Sequence, residues 1–119
     1  MYKVAIVDDE RNILDVLNEF LEFQYDVTIF QNPIHAFESV LENDYDIVLC
    51  DIMMPQMTGL EFLKKLRDKQ DQTKVVMMTA FDSMDKALEA HKYGAKHYIK
   101  KPFKNLTEIE SKIAELIEN

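Results

Sequence analysis

The chain has 119 residues, 47% of them hydrophobic, so its length and composition predict one domain, residues 1–119, with a substantial core. Lys and Arg contribute 14 positive charges against 22 negative ones, and the net charge of −8 has the wrong sign for holding nucleic-acid phosphates. One cysteine excludes an internal disulfide, and the opening MYKVAIV is too short an apolar run for a signal peptide or membrane span, so we expect a soluble cytoplasmic protein.

Five short segments in chain order predict strands. Residues 4–7, 47–50 and 75–78 are continuously apolar and lack the alternation of a half-exposed strand, which is typical of a parallel sheet covered on both faces. Residues 26–30 and 96–99 are weaker strand candidates.

The segments between the strands, and the one after the last, have the apolar spacing of helices. The stripes are Ile13, Leu14, Leu17, Phe20 and Leu21; Ile34, Phe37, Val40 and Leu41; Leu60, Leu63 and Leu66; a weaker Met84, Ala87, Leu88 and His91; and Leu106, Ile109, Ile113, Leu116 and Ile117. Asn32 before Pro33 predicts a capped helix start, Thr58 with Glu61 has the capping-box spacing, and Gly94 is a helix stop. Five strand-helix units predict an α/β fold with right-handed crossovers and helices on both faces of the sheet.

Acidic residues follow two of the predicted strands. Asp8 and Asp9 come after the first strand and Asp51 after the third, and open parallel sheets bind ligands beyond the carboxyl ends of their strands. If these strands are neighbours, the three carboxylates converge, and two charges about 4 Å apart repel by roughly 4 kcal/mol at an effective dielectric near 20. A retained proton or a divalent cation must neutralise them, and oxygen ligands in a crevice open to water suit Mg²⁺.

Complementary groups follow the remaining strands. Thr79 offers a hydroxyl after the fourth strand, and Lys100 and Lys101 offer ammonium groups after the fifth. Carboxylates, a cation and these groups suit phosphoryl transfer, with Asp51 as the candidate nucleophile because it stands alone.

These segments together resemble the receiver domain of two-component response regulators. The resemblance runs from VDDE through CDIMMPQMTGLEFLKKLR and VVMMTAF to YGAKHYIKKPF, and the order and spacing of the motifs are more specific than any one of them. It implies a flavodoxin-like (βα)5 doubly wound fold with a five-stranded parallel sheet in the order 2-1-3-4-5. It also implies a signalling protein rather than an enzyme.

The resemblance implies a role for each acidic residue. Asp51 would accept a phosphoryl group from a phosphohistidine on a sensor histidine kinase or a histidine phosphotransfer protein. Asp9, Asp51 and the backbone carbonyl of Met53 would ligate Mg²⁺, with Mn²⁺ as a substitute ion, and Asp8 would contribute through a water.

It also implies roles near the last two strands. Lys101, which precedes Pro102 in a peptide bond that is usually cis in the family, would pair with the phosphoryl oxygens. Thr79 and Tyr98 would be the switch pair that changes the face made by helix 4, strand 5 and helix 5 and so controls a downstream target protein.

The sequence departs from the family pattern in its loops and in strand 5. Gln24 and Pro33 stand where many relatives have glycine, which affects turn geometry far from the acidic crevice. Lys96 and His97 replace an acidic pair of many relatives, so we expect a monomer, with dimerisation on phosphorylation as the alternative.

Single residues also have structural interpretations. Asp8 or Asp9 alone is typical of a cap on the first helix, Thr79 alone of a solvated strand end, and Tyr98 alone of an edge-strand aromatic. Cys50 is best explained as a small buried hydrophobe.

The favoured function is a freestanding phosphorylation-controlled switch, and the alternative is a receiver cut from a longer regulator with an output domain. An aspartate-nucleophile phosphatase would need a second acid at the position of Met53, and a flavodoxin would need hydroxyls where the first loop reads DDERN. A receiver that does not accept phosphate is disfavoured by the complete set of acids, hydroxyl and lysine. Apolar Met53 and Phe81 flank the phosphoryl position in relatives, so we expect slow self-dephosphorylation.

Overall fold

The computed structural model describes residues 1–80 and 84–118, which form a five-stranded parallel sheet flanked by five helices. The strands lie in the order β2-β1-β3-β4-β5, which confirms the predicted flavodoxin-like (βα)5 architecture. Their bounds are β1 Lys3–Val7, β2 Asp26–Phe30, β3 Ile47–Asp51, β4 Val75–Thr79 and β5 His97–Lys100. The helices are α1 Arg11–Leu21, α2 Pro33–Glu42, α3 Gly59–Asp68, α4 Met84–His91 and α5 Leu106–Glu118.

The three central strands are buried on both faces. Alternate residues of β1, β3 and β4 contribute to two separate apolar clusters, one of which includes Val7, Cys50 and Met77 and the other Ile6 and Leu49. Helices α2, α3 and α4 contribute residues to the first cluster, and helices α1 and α5 contribute to the second. This arrangement explains why these strands are continuously apolar in the sequence.

Two of the predicted helix starts are confirmed by hydrogen bonds. The Asn32 side chain accepts from the backbone N–H of Ile34 at 2.8 Å, with Pro33 as the first residue of α2. Thr58 and Glu61 form the predicted capping box with both hydrogen bonds at 3.1 Å.

The first helix is different, because α1 begins after Glu10 and neither Asp8 nor Asp9 is its N-cap. The capping interpretation of these two acids is therefore wrong. The Asp8 carboxylate instead accepts from the backbone N–H of Glu10 at 2.9 Å.

The predicted bounds of β2 are confirmed, and those of the other four strands differ from the observed ones by one residue at one or both ends. β3 and β4 extend to Asp51 and Thr79 because the backbone ladder continues one residue past the apolar run. β5 begins at His97 rather than at residue 96, since the chain is still turning after Gly94, whose φ is +95°. Within the described part of the chain, every helix is too short or too polar to cross a bilayer.

Candidate functional site

The carboxylates of Asp8, Asp9 and Asp51 converge at the carboxyl edge of the sheet. β1 and β3 are hydrogen-bonded neighbours, and each of the three residues offers an oxygen within 4.8 Å of the others. Asp8 is fully buried, Asp51 is 7% exposed and Asp9 is half-buried. The expected meeting of the acids is confirmed.

Lys101 brings a positive charge to this cluster. Its Nζ donates to Asp8 Oδ2 at 2.5 Å and lies 3.4 Å from Asp51 Oδ1. The backbone N–H of Lys101 donates to the Thr79 carbonyl at 2.7 Å, which fixes the loop after β5 to the end of β4, and the Lys101–Pro102 peptide bond is cis, as the resemblance implies. Burial disfavours the charged amine, but the hydrogen bond that Lys101 donates to Asp8 and the charges of Asp51, Asp8 and Glu10 outweigh this effect and raise the pKa of Lys101.

Asp51 is held in an environment that opposes its negative charge. Burial, and then the charge of Asp8, raise the pKa of Asp51 to about 6 from an ordinary value of 3.8. The Lys101 ammonium opposes this shift but only partly cancels it. The site therefore has more negative charge than its own cation compensates, and a further cation is favoured there.

The start of α3 packs directly on the end of β3. The backbone N–H of Gly59 donates to the Ile52 carbonyl at 2.7 Å, and a Cβ on Gly59 would lie 2.5 Å from the Asp51 carbonyl oxygen. Any side chain at this position would displace the backbone of Asp51. Gly59 was not singled out by the sequence, although its place just after the capping residue Thr58 marks it as the first residue of the helix.

The loop between β3 and α3 contains Met53, which is 52% exposed and lies two residues after Asp51. Cys50, on the other side of Asp51, is fully buried, and its thiol donates to the Asp51 carbonyl at 3.5 Å. Burial and the charges of Asp51 and Asp8 raise the pKa of this thiol, so it is protonated and packs as a small hydrophobe, as predicted.

The hydroxyls of Thr79 and Tyr98 donate to backbone carbonyls close to them in the chain. Thr79, at the end of β4, is 2% exposed, so its interpretation as a solvated strand end is wrong, and its hydroxyl donates to the Ala80 carbonyl at 3.0 Å. Tyr98 is half-buried in the edge strand β5, and its hydroxyl donates to the Ala95 carbonyl at 2.6 Å. Phe81, the other residue expected to flank the phosphoryl position, lies outside the described residues.

The donor set fits a hard divalent cation. Three carboxylates within reach of one point, with Asp9 half-buried at the rim, match the all-oxygen, partly hydrated coordination that Mg²⁺ prefers. Asp8 is the least available ligand because one oxygen accepts from Glu10 and the other from Lys101.

Sequence reasoning also missed Gln31. Its side-chain amide donates to the backbone carbonyl of Asp9 at 3.0 Å. The signal was available, because Gln31 directly follows β2, and the carboxyl ends of adjacent parallel strands share an edge.

Comparisons with known proteins identify the family. Residues 4–114 match the model of the response regulator receiver domain, so the chain belongs to the receiver domains of response regulators. Response regulators take phosphate from histidine kinases and act on downstream targets, and their receiver domains are signalling domains.

Individual relatives agree with this assignment. The chain is 39% identical over 114 residues to the transcriptional regulatory protein YkoG of Bacillus subtilis, covering 95% of this chain and 48% of YkoG. Its structure is similar to that of the receiver domain of the Francisella response regulator 1452, with a TM-score of 0.90, 29% identity and coverage of 99% and 98% of the two chains. A CheY-like receiver domain protein from Methanospirillum hungatei gives a TM-score of 0.91 at 30% identity, with coverage of 99% and 94%. The chain spans less than half the length of the curated relatives compared with it.

Proposed function

We propose that this domain is a switch in which Asp51 accepts a phosphoryl group from a phosphohistidine on a sensor histidine kinase or a histidine phosphotransfer protein. The observation that supports this proposal most strongly is the convergence of Asp8, Asp9, Asp51 and the Lys101 ammonium at one edge of the sheet. Membership in the receiver family supports the choice of phosphodonor.

The proposed reaction requires Mg²⁺, for which Mn²⁺ would substitute. Asp9, Asp51 and the backbone carbonyl of Met53 would hold the ion, and Asp8 would contribute through a water. The close oxygen atoms of the three acids and the raised pKa of Asp51 support this assignment. When bound, the ion would neutralise the carboxylates and the incoming phosphoryl oxygens.

The chemical step itself belongs to Asp51. An oxygen of its ionised carboxylate would attack the phosphorus, the phosphorus–nitrogen bond would break, and the departing imidazole nitrogen would take a proton from solvent. Lys101 would pair with the phosphoryl oxygens, since its Nζ is already 3.4 Å from Asp51 Oδ1. Positioning and charge compensation would supply the catalysis.

The proposed response is carried by Thr79 and Tyr98. The Thr79 hydroxyl would exchange the Ala80 carbonyl for a phosphoryl oxygen, and the Tyr98 ring would turn into the space that Thr79 leaves. This movement would break the hydrogen bond from Tyr98 to the Ala95 carbonyl and alter the face of α4, β5 and α5. That face would bind a downstream target protein.

The proposal covers the receiver domain alone. We propose that the domain is cytoplasmic and monomeric, with dimerisation on phosphorylation as the alternative. We also propose that it does not itself contact a membrane or nucleic acid. Its net charge of −8 supports the absence of contact with nucleic acid. A freestanding protein and the receiver of a longer regulator remain the two candidate contexts, and the greater length of the relatives favours the second. The aspartate-nucleophile phosphatase is disfavoured by Met53, which supplies no acid for a leaving group.

The test is incubation with Mg²⁺ and acetyl phosphate, followed by mass spectrometry of the intact protein and of its peptides. We expect one added phosphoryl group, located on Asp51, and none without Mg²⁺. The variant Asp51→Asn should not be modified, whereas Asp26→Asn, which changes an exposed acid on β2, should behave as the wild type. Modification elsewhere, or equal modification of Asp51→Asn, would contradict the proposal.

We also propose that the phosphorylated form is long-lived, because exposed Met53 offers no polar group to orient a hydrolytic water. The double variant Met53→Asn with Phe81→Glu should lose its phosphoryl group several-fold faster than the wild type. The decay is followed by the loss of the phosphorylated mass after removal of acetyl phosphate. A decay rate equal to that of the wild type would reject the idea.

A further inference from the structure

The main chain at Asp9 is held by a residue of the neighbouring loop rather than by the sheet. The β1–β2 ladder ends with the backbone N–H of Asp8, which donates to the Phe30 carbonyl at 3.1 Å. One residue further along, the side-chain amide of Gln31 donates to the Asp9 carbonyl at 3.0 Å. A side chain thus extends the pairing of the two strands by one step.

The local sequence explains why a side chain is needed there. Asn32 uses its side-chain oxygen to accept from the backbone N–H groups of Ile34 and His35, and the next residue, Pro33, has no N–H. The chain after β2 therefore turns at once into α2, and its backbone leaves the sheet. Gln31 is the last residue before this turn, and its amide reaches back to Asp9.

Asp9 is also the member of the acidic cluster with the least support of its own. The carboxylate of Asp8 has two hydrogen-bond partners, Glu10 and Lys101, and Asp51 is a paired residue of β3. Asp9 lies beyond the end of β1 and is only half-buried, while the charges of the other two acids repel its carboxylate. Its direction depends on how its backbone is held.

We propose that Gln31 is a positioning residue that holds the backbone of Asp9 so that its carboxylate points into the acidic cluster and binds Mg²⁺. This inference rests on the proposed function of the cluster as a metal site. Gln31 acts through the Asp9 carbonyl, and its loss lets the Asp9 carboxylate turn toward solvent. Binding the ion then requires ordering of this segment, and the affinity falls.

The test compares Gln31→Met with Gln56→Met. Methionine has nearly the length of glutamine but no amide donor, and Gln56 lines the same cavity of about 420 Å³ as Asp9 and Gln31. Among the described residues, Gln56 makes no hydrogen bond to Asp9. Mg²⁺ affinity is measured by isothermal titration calorimetry, and the thermal midpoint is measured in EDTA.

We expect Gln31→Met to bind Mg²⁺ roughly threefold to tenfold more weakly than the wild type. Removing a group that orients a metal ligand typically weakens metal binding by about 10-fold to 100-fold, so this loss is at most at the lower end of that range. Gln56→Met should bind as the wild type, and the midpoint of Gln31→Met in EDTA should stay within about 2 °C of the wild type because the residue is exposed. A general loss of structure would lower that midpoint instead.

Two results would overturn the inference alone: wild-type affinity in Gln31→Met, or an equal loss in Gln31→Met and Gln56→Met. A wild-type protein that fails to bind Mg²⁺ would overturn both this inference and the proposed function. The two failures are therefore distinguishable.

Discussion

The two ends of the sheet use charge in opposite ways. At the carboxyl end, Asp8, Asp9 and Asp51 share a single close ammonium, that of Lys101, among the described residues. At the amino end of β4 and β5, a cavity of about 420 Å³ is lined by the cationic residues Arg67, Lys74 and Lys96, and also by His97 and Glu115.

Two of the cations at the amino end, Arg67 and Lys74, donate to backbone carbonyls. Arg67 donates to the carbonyls of Tyr93 at 3.1 Å, Asp71 at 2.7 Å and Thr73 at 3.2 Å, and Lys74 donates to the carbonyl of Leu116 at 2.5 Å. These bonds tie loops to helices, so the charge serves the fold. The carboxyl end keeps an excess of like charge, which opposes folding and favours a ligand. We infer that a charged cluster indicates a binding site when its like charges outnumber the opposite charges close to them.

The largest expected effect is that of Lys101→Met. The change removes the ammonium partner of Asp8, which is fully buried, and a buried charge left without its partner is strongly destabilising. We expect the free energy of unfolding to fall by about 3 kcal/mol at neutral pH in EDTA. Urea denaturation measures the change, and saturating Mg²⁺ should restore part of the loss. A variant as stable as the wild type would show that the carboxyl end is not short of positive charge.

The second-largest expected effect is a gain in stability, produced by the variant Asp51→Asn. The pKa of Asp51 is raised from 3.8 to about 6, so as the pH rises through this window the unfolded chain loses the proton first, and the folded state becomes less stable. Above about pH 6 the folded protein bears the full cost, on the order of 2 to 3 kcal/mol for a shift of this size. Asp51→Asn should therefore be more stable than the wild type by this amount at about pH 8, and equally stable near pH 4.

Urea denaturation of both proteins in EDTA at the two pH values measures this difference. A stability gain that does not change with pH would contradict the claim that the ionised Asp51 carboxylate destabilises the folded state. An exposed acid such as Asp26 provides the control, because Asp26→Asn should give no comparable gain.

A smaller effect is expected at the amino end. Arg67→Met removes three hydrogen bonds to carbonyls and should lower the free energy of unfolding by about 2 kcal/mol. Mg²⁺ affinity should be unchanged, because the cavity lies at the other end of the sheet from Asp51. Urea denaturation and titration calorimetry measure the two quantities. A matching loss of Mg²⁺ affinity would mean that the two ends are coupled.

Much of the fold followed from local patterns. The continuous apolar runs of β1, β3 and β4 predicted buried parallel strands because burial on both faces removes alternation. The starts of α2 and α3 followed from Asn32 and Thr58, whose side chains bond to backbone groups within three residues. The strand order came from the family resemblance.

The sequence predicted most of the residue types at the site, but it did not predict all of the contacts between them. Asp8, Asp9, Asp51 and Thr79 were recognised because they follow predicted strands, whereas the choice of Lys101 over Lys100 came from the family resemblance. The contact of Gln31 with Asp9 and the close approach of Gly59 to Asp51 were missed, because each joins residues whose proximity depends on how separate elements pack. The roles of all these residues, and that of Tyr98, remain predictions.

The sequence by itself determined the elements and the kinds of side chain at their ends, since both depend on neighbours within a few residues along the chain. Only the tertiary structure decided that Lys101 donates a hydrogen bond to Asp8, 93 residues away in the chain, and that the pKa of Asp51 rises to about 6. It also decided that the Arg67 guanidinium donates its hydrogen bonds to backbone carbonyls. Those outcomes depend on distance and burial in three dimensions, because charge interactions and desolvation act through space.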